Sequence, residues 1–324
     1  MRCIVCGREI EDGYVCGSCI AEREEIVRIE PIEIVQCSRC GFVRVSGKWK
    51  NISLEEAIKR EVLRSMFVLE GFDVKDVKID LKLKELTVSG YLFSDYVTVK
   101  VPFNLKVKRT TCLRCSRISG GYYESIVQLR AENRKLKDYE ISEAKRIIQE
   151  VLENEIENER AFLTKVEEKK EGIDFYFGSR EIGKKISRKI AERLGGSITE
   201  SKKLAGRSDG VDLFRFTYLV RLPSYEDGDV VLKDDSICVV KNRRVGKGID
   251  IFTGKSVNIK NSKLIARKSE LFEGVVVNVD ESVAEVMSND GRVFFVNKPY
   301  AVEIGEDVYV FEYNDNFYAF SKRL

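Results

Sequence analysis

Four Cys-x2-Cys pairs, a loss of all helical periodicity after Pro223 and a change in the sign of charge near Glu270 predict a multi-domain α+β chain. In order, the expected parts are an N-terminal double zinc-knuckle domain with an inserted α/β layer (residues 1–121, insertion at about 51–108), a two-layer α/β domain (122–222), an SH3-like basic β-barrel (223–270) and an OB-like acidic β-barrel (271–324). A length of 324 residues accommodates two to four such domains with sizeable apolar cores.

The cysteines lead the reading. Eight of the nine fall in pairs, Cys3/Cys6, Cys16/Cys19, Cys37/Cys40 and, far downstream, Cys112/Cys115. Two residues between cysteines let both thiolates of a tight turn face one ion, and two such turns complete the four-sulfur shell of a structural zinc, so four pairs imply two Zn2+ ions. Gly7 and Gly41 directly follow a pair, where the chain leaving such a turn needs a positive φ. The spacing leaves two pairings open: sequential (Cys3, Cys6, Cys16 and Cys19; Cys37, Cys40, Cys112 and Cys115), which is the simpler, or cross-braced. Cys238, alone in "SICVVK", alternates with valines as in a strand core.

Between the third and fourth pairs the chain builds something else. "FVRVSGKW" reads as a strand leaving the second knuckle, and "SLEEAIKREVLRSMF" as a helix with Ser53 as cap, Glu56 at the third position and Ala57, Ile58, Val62 and Met66 on its apolar face. Strands are predicted at about 74–81, 86–93 and 97–107. This is a layer held at both ends by one zinc site.

From Tyr122 the expected order is β-α-β-α-β-β: the strand "YYESIVQLRA", a helix from Ser142 to Lys169, the strand "GIDFYF", a helix from Ser179 to Leu194, and strands at 197–204 and 212–221. The second helix places Ile182, Ile186, Ile190 and Leu194 on one face and Lys184, Lys185, Arg188, Lys189 and Arg193 elsewhere, as any surface helix does. "FYFGSREIGKK" falls short of a phosphate loop because Lys185 stands where a magnesium-holding hydroxyl is needed and Gly183 lies inside the helical period, so Ser179 reads as a helix cap. "GIDIFTGKS" falls short because its first glycine comes one residue early and it runs into a strand.

After Pro223 short strands alternate with Gly, Asn and Asp turns. Residues 241–268 carry nine cations, Lys241, Arg243, Arg244, Lys247, Lys255, Lys260, Lys263, Arg267 and Lys268, against the one acid Asp250, whereas residues 271–324 carry four cations against ten acids. On turns of an all-β segment, with Arg39, Arg114 and Arg117 near the knuckles, these cations form an expected RNA-contacting surface whose affinity comes mainly from phosphates.

Composition bounds the function. The net charge is only +3, so a nucleic-acid footprint has to be local. Charged residues make up 34% of the chain, a bias that fits a high-temperature organism. Histidine is absent, which removes the usual near-neutral proton carrier and the usual partner of a serine or cysteine nucleophile, so hydrolase triads are excluded. Neither a secretory start nor an apolar run of about 18 residues is present, and a cytoplasmic chain without membrane contact is expected.

The order of parts resembles a known family. The four cysteine pairs with the last far downstream, "GGYYESIVQLR", "GIDFYFGSREIGKKISRKIAERLGGSI" and "VRLPSYEDGDVV" together are similar to the nonsense-mediated mRNA decay protein 3 family, the large-ribosomal-subunit export adaptor, in its archaeal form. The resemblance implies that all eight paired cysteines are zinc ligands and that the later domains are like initiation factor 5A, with SH3-like and OB-like parts. It also makes the loop from Arg243 to Lys247 a counterpart of the tip of the 5A-like barrel. It implies binding to the joining face of the large ribosomal subunit, reaching the tRNA sites and the L1 stalk side, in late biogenesis or quality control. Eukaryotic members carry a C-terminal extension with nuclear transport signals, whereas this chain ends "NFYAFSKRL", so export is not expected.

The expectation is therefore a monomeric, non-enzymatic factor whose partners are rRNA, ribosomal proteins and other assembly or anti-association factors. Two rivals remain at this level: a translation factor acting on mature ribosomes, and a zinc-containing RNA-processing enzyme, which needs an open coordination position that two complete four-sulfur shells do not leave.

Overall fold

The computed structural model describes every residue except Asp12 and Asp209, and the side chain of Ser208. Its contacts divide it into two units, residues 1–116 with 156–159 and residues 117–155 with 160–324.

In the first unit, helix α1 (Gly17–Arg23) is followed by a four-stranded sheet in the order Lys48–Lys50, Val43–Val45, Ile32–Cys37, Leu105–Thr110. Helix α2 (Leu54–Arg64) and the meander Phe72–Asp80, Glu85–Leu92, Asp95–Pro102 form the inserted layer. Ser53 caps α2, its hydroxyl accepting from the Glu56 N–H at 3.0 Å, and Ala57, Ile58 and Val62 are buried as their spacing requires. One apolar cluster, including Ile34, Val43, Val62, Leu86 and Leu92, joins the layer to the sheet.

Local expectations are corrected in three places. "FVRVSGKW" is a hairpin, with Ser46 (φ 49°) and Gly47 (φ 81°) as the two left-handed residues of its turn. Met66 leaves the helix and pairs with Ile29 in a short two-stranded sheet. The expected strand at 97–107 is two strands in different sheets: Pro102 has no N–H to extend the ladder, Phe103 buries its ring, and Leu105–Thr110 crosses to pair in parallel with Ile32–Cys37. Helix α3 (Leu113–Ser119) follows.

The second unit opens with a five-stranded sheet in the order Leu163–Lys169, Gly172–Phe177, Ser125–Ala131, Val211–Leu222, Ser197–Ser208. The strands Ser125–Ala131 and Val211–Leu222 run parallel and the other neighbours antiparallel. Helices α4 (Asp138–Asn154) and α5 (Arg180–Leu194) pack on one face, their buried Ile147, Val151, Ile186 and Ile190 sharing a core with Val127, Leu129, Phe175 and Val220. The expected helix from Ser142 to Lys169 is thus wrong in its second half. "LTKVEEKKEG" has helix-forming Lys and Glu, but the chain turns back at Gly172 (φ 147°), and the segment gains more as an edge strand on the buried "GIDFYF" strand. Within α5, Ser179 caps by accepting from the Ile182 N–H at 3.2 Å, and Gly183 is an ordinary buried helical residue, so no phosphate loop forms there.

Beyond Pro223 lie two five-stranded sheets. The first runs Ser256–Asn258, Lys247–Asp250, Ser236–Asn242, Val230–Lys233, Lys263–Ala266, with Cys238 fully buried in its central strand. The second runs Val293–Asn297, Val283–Ser288, Phe272–Val279, Asp307–Tyr313, Asn316–Ser321, and its two edge strands curl together, the Greek-key arrangement of an OB-type barrel. The barrels are fused: Phe311 and Phe320 of the second are buried against Val230, Ile237, Val239 and Ile251 of the first. Among the described residues no helix is long and apolar enough to cross a membrane.

Candidate zinc centres and cationic surface

The structure brings the cysteines together in two quartets, Cys3, Cys6, Cys16 and Cys19, and Cys37, Cys40, Cys112 and Cys115, with all four sulfurs of each within 4.8 Å of one another. The pairing is sequential, not cross-braced. In the first quartet, "CIVCG" turns on Gly7 (φ 75°), Cys16 stands at the N-terminus of α1, and Cys19 lies in its first turn. The inserted layer holds this helix in place: the Asp95 carboxylate accepts from the Ser18 N–H at 2.9 Å and from its hydroxyl at 3.1 Å. Gly17 permits the approach, because a Cβ there would lie 2.2 Å from the Leu92 carbonyl oxygen.

The second quartet depends on the parallel pair. Cys37 ends the strand Ile32–Cys37 opposite Thr110, so pairing Ile32 with Leu105 through Cys37 with Thr110 delivers the two knuckles to one end of the sheet. Gly41 (φ 77°) closes the first knuckle, and Cys115 lies in α3. Phe42, Trp49 and Ile156 wall the site, and the Arg114 guanidinium donates to the Ile156 carbonyl at 3.3 Å. Ile156 escaped the sequence reading, since nothing near it in the chain marks it as part of a metal site.

The donor set fits zinc. Cys6 and Cys16 sulfurs are 3.6 Å apart and those of Cys40 and Cys112 3.7 Å, against ~3.8 Å for the edge of a tetrahedron with Zn–S near 2.3 Å. Among the described residues, which include all nine cysteines, none is joined at the ~2.05 Å of a disulfide. Backbone N–H groups already point at the sulfurs: Cys16 donates to Cys3 Sγ and Cys112 to Cys37 Sγ, both at 3.4 Å. The Cys16 N–H in particular lowers the Cys3 thiol to about 6. Burial raises the Cys37 thiol, but N–H groups of Cys40, Cys112 and Arg39 outweigh it and bring that thiol also to about 6. Cys19 is pushed up by its Cys16 and Cys6 neighbours, and Cys115 by burial and by Cys112. Without a cation the clustered sulfurs cannot all ionise; a divalent ion removes the conflict. Both quartets therefore fit structural zinc, with four protein sulfurs each and no position left for an activated water.

Of the nine cations expected on the first barrel, eight are exposed: Lys241, Arg244, Lys247, Lys255, Lys260, Lys263, Arg267 and Lys268. Arg243 is not. Its guanidinium is buried, 3.4 Å from Glu140 and 3.7 Å from Glu226, and the Arg243 backbone N–H donates to the Asp227 carboxylate at 2.6 Å. Glu140 is fully buried and also receives two 2.8 Å bonds from Arg134, which in turn donates to the Pro223 carbonyl at 2.8 Å. Burial raises the Glu140 carboxyl, yet the Arg134 bonds, the Lys137 N–H and the Arg243 charge together hold it below the usual carboxylate range.

The turn from Arg243 to Lys247 is consequently no free tip. It abuts the C-terminal end of α5, where Gly195 (φ 76°) lies so close that a Cβ would stand 2.5 Å from the Arg243 carbonyl oxygen. The same junction gathers Tyr139, Arg146 and Arg193 from α4 and α5 around a cavity of about 460 Å³ that Arg243 and Arg244 also line. In the sequence these three are ordinary residues of amphipathic helices; only the docking of the barrel gives them a common cavity.

Comparison with known proteins places these features. No curated protein matches the chain. A translation initiation factor eif-5a family protein from Naegleria fowleri is similar at 18% identity over 30% of this chain and 90% of that one, with a TM-score of 0.18, a likeness too weak to carry an argument. Residues 3–120, which hold both cysteine quartets, match the NMD3 N-terminal domain, and residues 122–222, which hold the five-stranded sheet with α4 and α5, match the NMD3 second domain. With these two domains in order over residues 3–222, the chain belongs to the NMD3 family.

Proposed function

We propose that this protein is a non-enzymatic, ribosome-associated factor that binds the large ribosomal subunit at its joining face, on the side of the tRNA sites and the L1 stalk, during late subunit biogenesis or quality control. The observation that carries the reading is the ordered pair of NMD3 domains over residues 3–222. Two cysteine quartets that complete structural shells support a scaffolding role for the metal. The eight exposed lysines and arginines of the first barrel supply phosphate contacts. In this reading the four parts, 1–121, 122–222, 223–270 and 271–324, divide the work: the eight paired cysteines hold two zinc ions in a docking module, the α/β part positions the barrels, and the basic barrel faces rRNA. The setting is cytoplasmic and the protein acts as a monomer alongside other assembly factors.

Co-sedimentation of the zinc-loaded protein with separated small subunits, large subunits and joined ribosomes, at two salt concentrations, tests this. Salt-sensitive binding to free large subunits alone is the expected result. Equal binding to joined ribosomes turns the reading toward a translation factor, and failure to bind large subunits overturns it.

A further inference from the structure

The cavity of about 460 Å³ at the junction of α4, α5 and the Arg243–Arg244 turn is a concave feature that the zinc centres and the exposed barrel lysines leave unexplained. We propose that it is a seat for the phosphates of a single RNA strand, a second RNA-contacting site set by two domains together. This deepens the RNA-binding reading above and rests on it.

Charge and geometry carry the assignment. The cavity is lined by four guanidiniums, Arg146, Arg193, Arg243 and Arg244, against one carboxylate, Glu143. Arg243 is spent on buried Glu140 and forms the floor. Glu143 is shared: it accepts two bonds from Arg146 at 2.7 and 2.9 Å and one from Arg193 at 3.3 Å. Each guanidinium has five N–H donors, so one carboxylate fixes both side chains while most of their donors remain for another anion. The Arg244 side chain is exposed and has no partner among the described residues. Three guanidiniums around one open cavity suit phosphodiester oxygens, which accept bidentate bonds.

Shape favours a strand over a lone anion. A second depression of about 330 Å³ continues along α4 and α5, shares Arg193 and Arg244 with the first, and is lined also by Lys189, of which Glu150 is the ion-pair partner, and by Glu192. On the barrel side, Lys260 packs over Gly246 of the same turn, which extends the cationic track toward the exposed barrel lysines. Tyr139, 49% exposed, stands on the wall as a ring on which a base can stack. Arg193 also belongs to the row of ion pairs that registers α5 against α4, with Lys185 on Glu155 and Lys189 on Glu150, so the groove has a stiff bed.

The test is fluorescence anisotropy of a labelled, unstructured 12-nucleotide RNA with full-length, zinc-loaded protein across a salt series. Arg193→Ala with Arg244→Ala is compared with Lys255→Ala with Lys263→Ala on the barrel, after each variant is shown to keep wild-type zinc content and melting. Losing two phosphate contacts lowers the slope of log K against log salt by ~1.4 and weakens binding by about 10-fold at moderate salt. Tyr139→Leu is expected to weaken binding by ~5-fold or more with the slope unchanged, as lost stacking does. Arg244→Lys, which keeps the charge and loses the fork, retains the slope and loses part of the affinity. If the Arg193/Arg244 variant binds as the wild type does while the Lys255/Lys263 variant loses slope, the cavity proposal is overturned and the barrel reading stands. If the wild type itself shows no salt-dependent binding, both are overturned.

Discussion

Replacing Arg243 by alanine tests whether this residue is a structural strut, as its burial indicates, or an RNA contact, as its place in a basic run suggests. Its side chain is 9% exposed, that of Glu140 0% and that of Arg134 10%, so the three form a buried charged cluster with one carboxylate between two guanidiniums. Removing one member of a buried pair typically costs ~3–5 kcal/mol, because the survivor is left uncompensated. In Arg243→Ala the carboxylate keeps both 2.8 Å bonds from Arg134, which places the loss near ~3 kcal/mol. In Glu140→Ala two buried guanidiniums lose their shared acceptor, and the loss lies nearer ~5 kcal/mol. The Glu140→Ala/Arg243→Ala double variant should then cost less than the sum of the two, because the second substitution removes one of the stranded charges. Calorimetric melting reads this directly: at 2–4 °C per kcal/mol, Arg243→Ala shifts the transition by about 6–12 °C, whereas exposed Lys263→Ala stays within ~0.5 kcal/mol of wild type. An Arg243→Ala protein that melts like the wild type but loses RNA affinity as strongly as a barrel lysine variant would refute the strut and return Arg243 to the contact surface.

Three further outcomes follow from the same geometry. The folded-state carboxyl of Glu140 is depressed, so its contribution is present above the unfolded value and is lost as pH falls through the folded value; acid titration of wild type should therefore show a loss of stability below ~pH 4 that is missing in Glu140→Gln. Gly195→Ala puts a side chain on a left-handed residue facing the Arg243 carbonyl, and should cost at least ~1–2 kcal/mol by melting; a silent substitution would show that the barrel docks less closely. Metal analysis of the purified protein should find two zinc ions per chain and one in Cys112→Ser, with hydrogen exchange rising in Ile32–Cys37 and Leu105–Thr110 and not around Cys3 to Cys19; loss of both ions would mean that the quartets are not independent.

Much of this molecule is written locally. The spacing of eight cysteines names the metal, because two-residue turns and thiolate chemistry are properties of a few adjacent residues. Ser53 and Ser179 announce their helices for the same reason, and the all-β character after Pro223 follows from short alternating runs broken by turn residues. Where local preference and long-range pairing disagree, the sequence misleads: Leu163–Lys169 has the composition of a helix and becomes an edge strand because "GIDFYF" offers it a buried partner.

What only the tertiary structure decided is which residues meet. A parallel ladder between Ile32–Cys37 and Leu105–Thr110, joining segments some seventy residues apart, turns Cys112 and Cys115 into partners of Cys37 and Cys40 rather than of the first quartet. The docking of a barrel on α4 and α5 takes Arg243 out of water to neutralise Glu140, and in the same step gives Tyr139, Arg146 and Arg193 a shared cavity with Arg244. Residue type sets what a side chain can bind. Whether it faces solvent, a buried carboxylate or a ligand depends on distant contacts, and the free energy that settles it belongs to the packed chain as a whole.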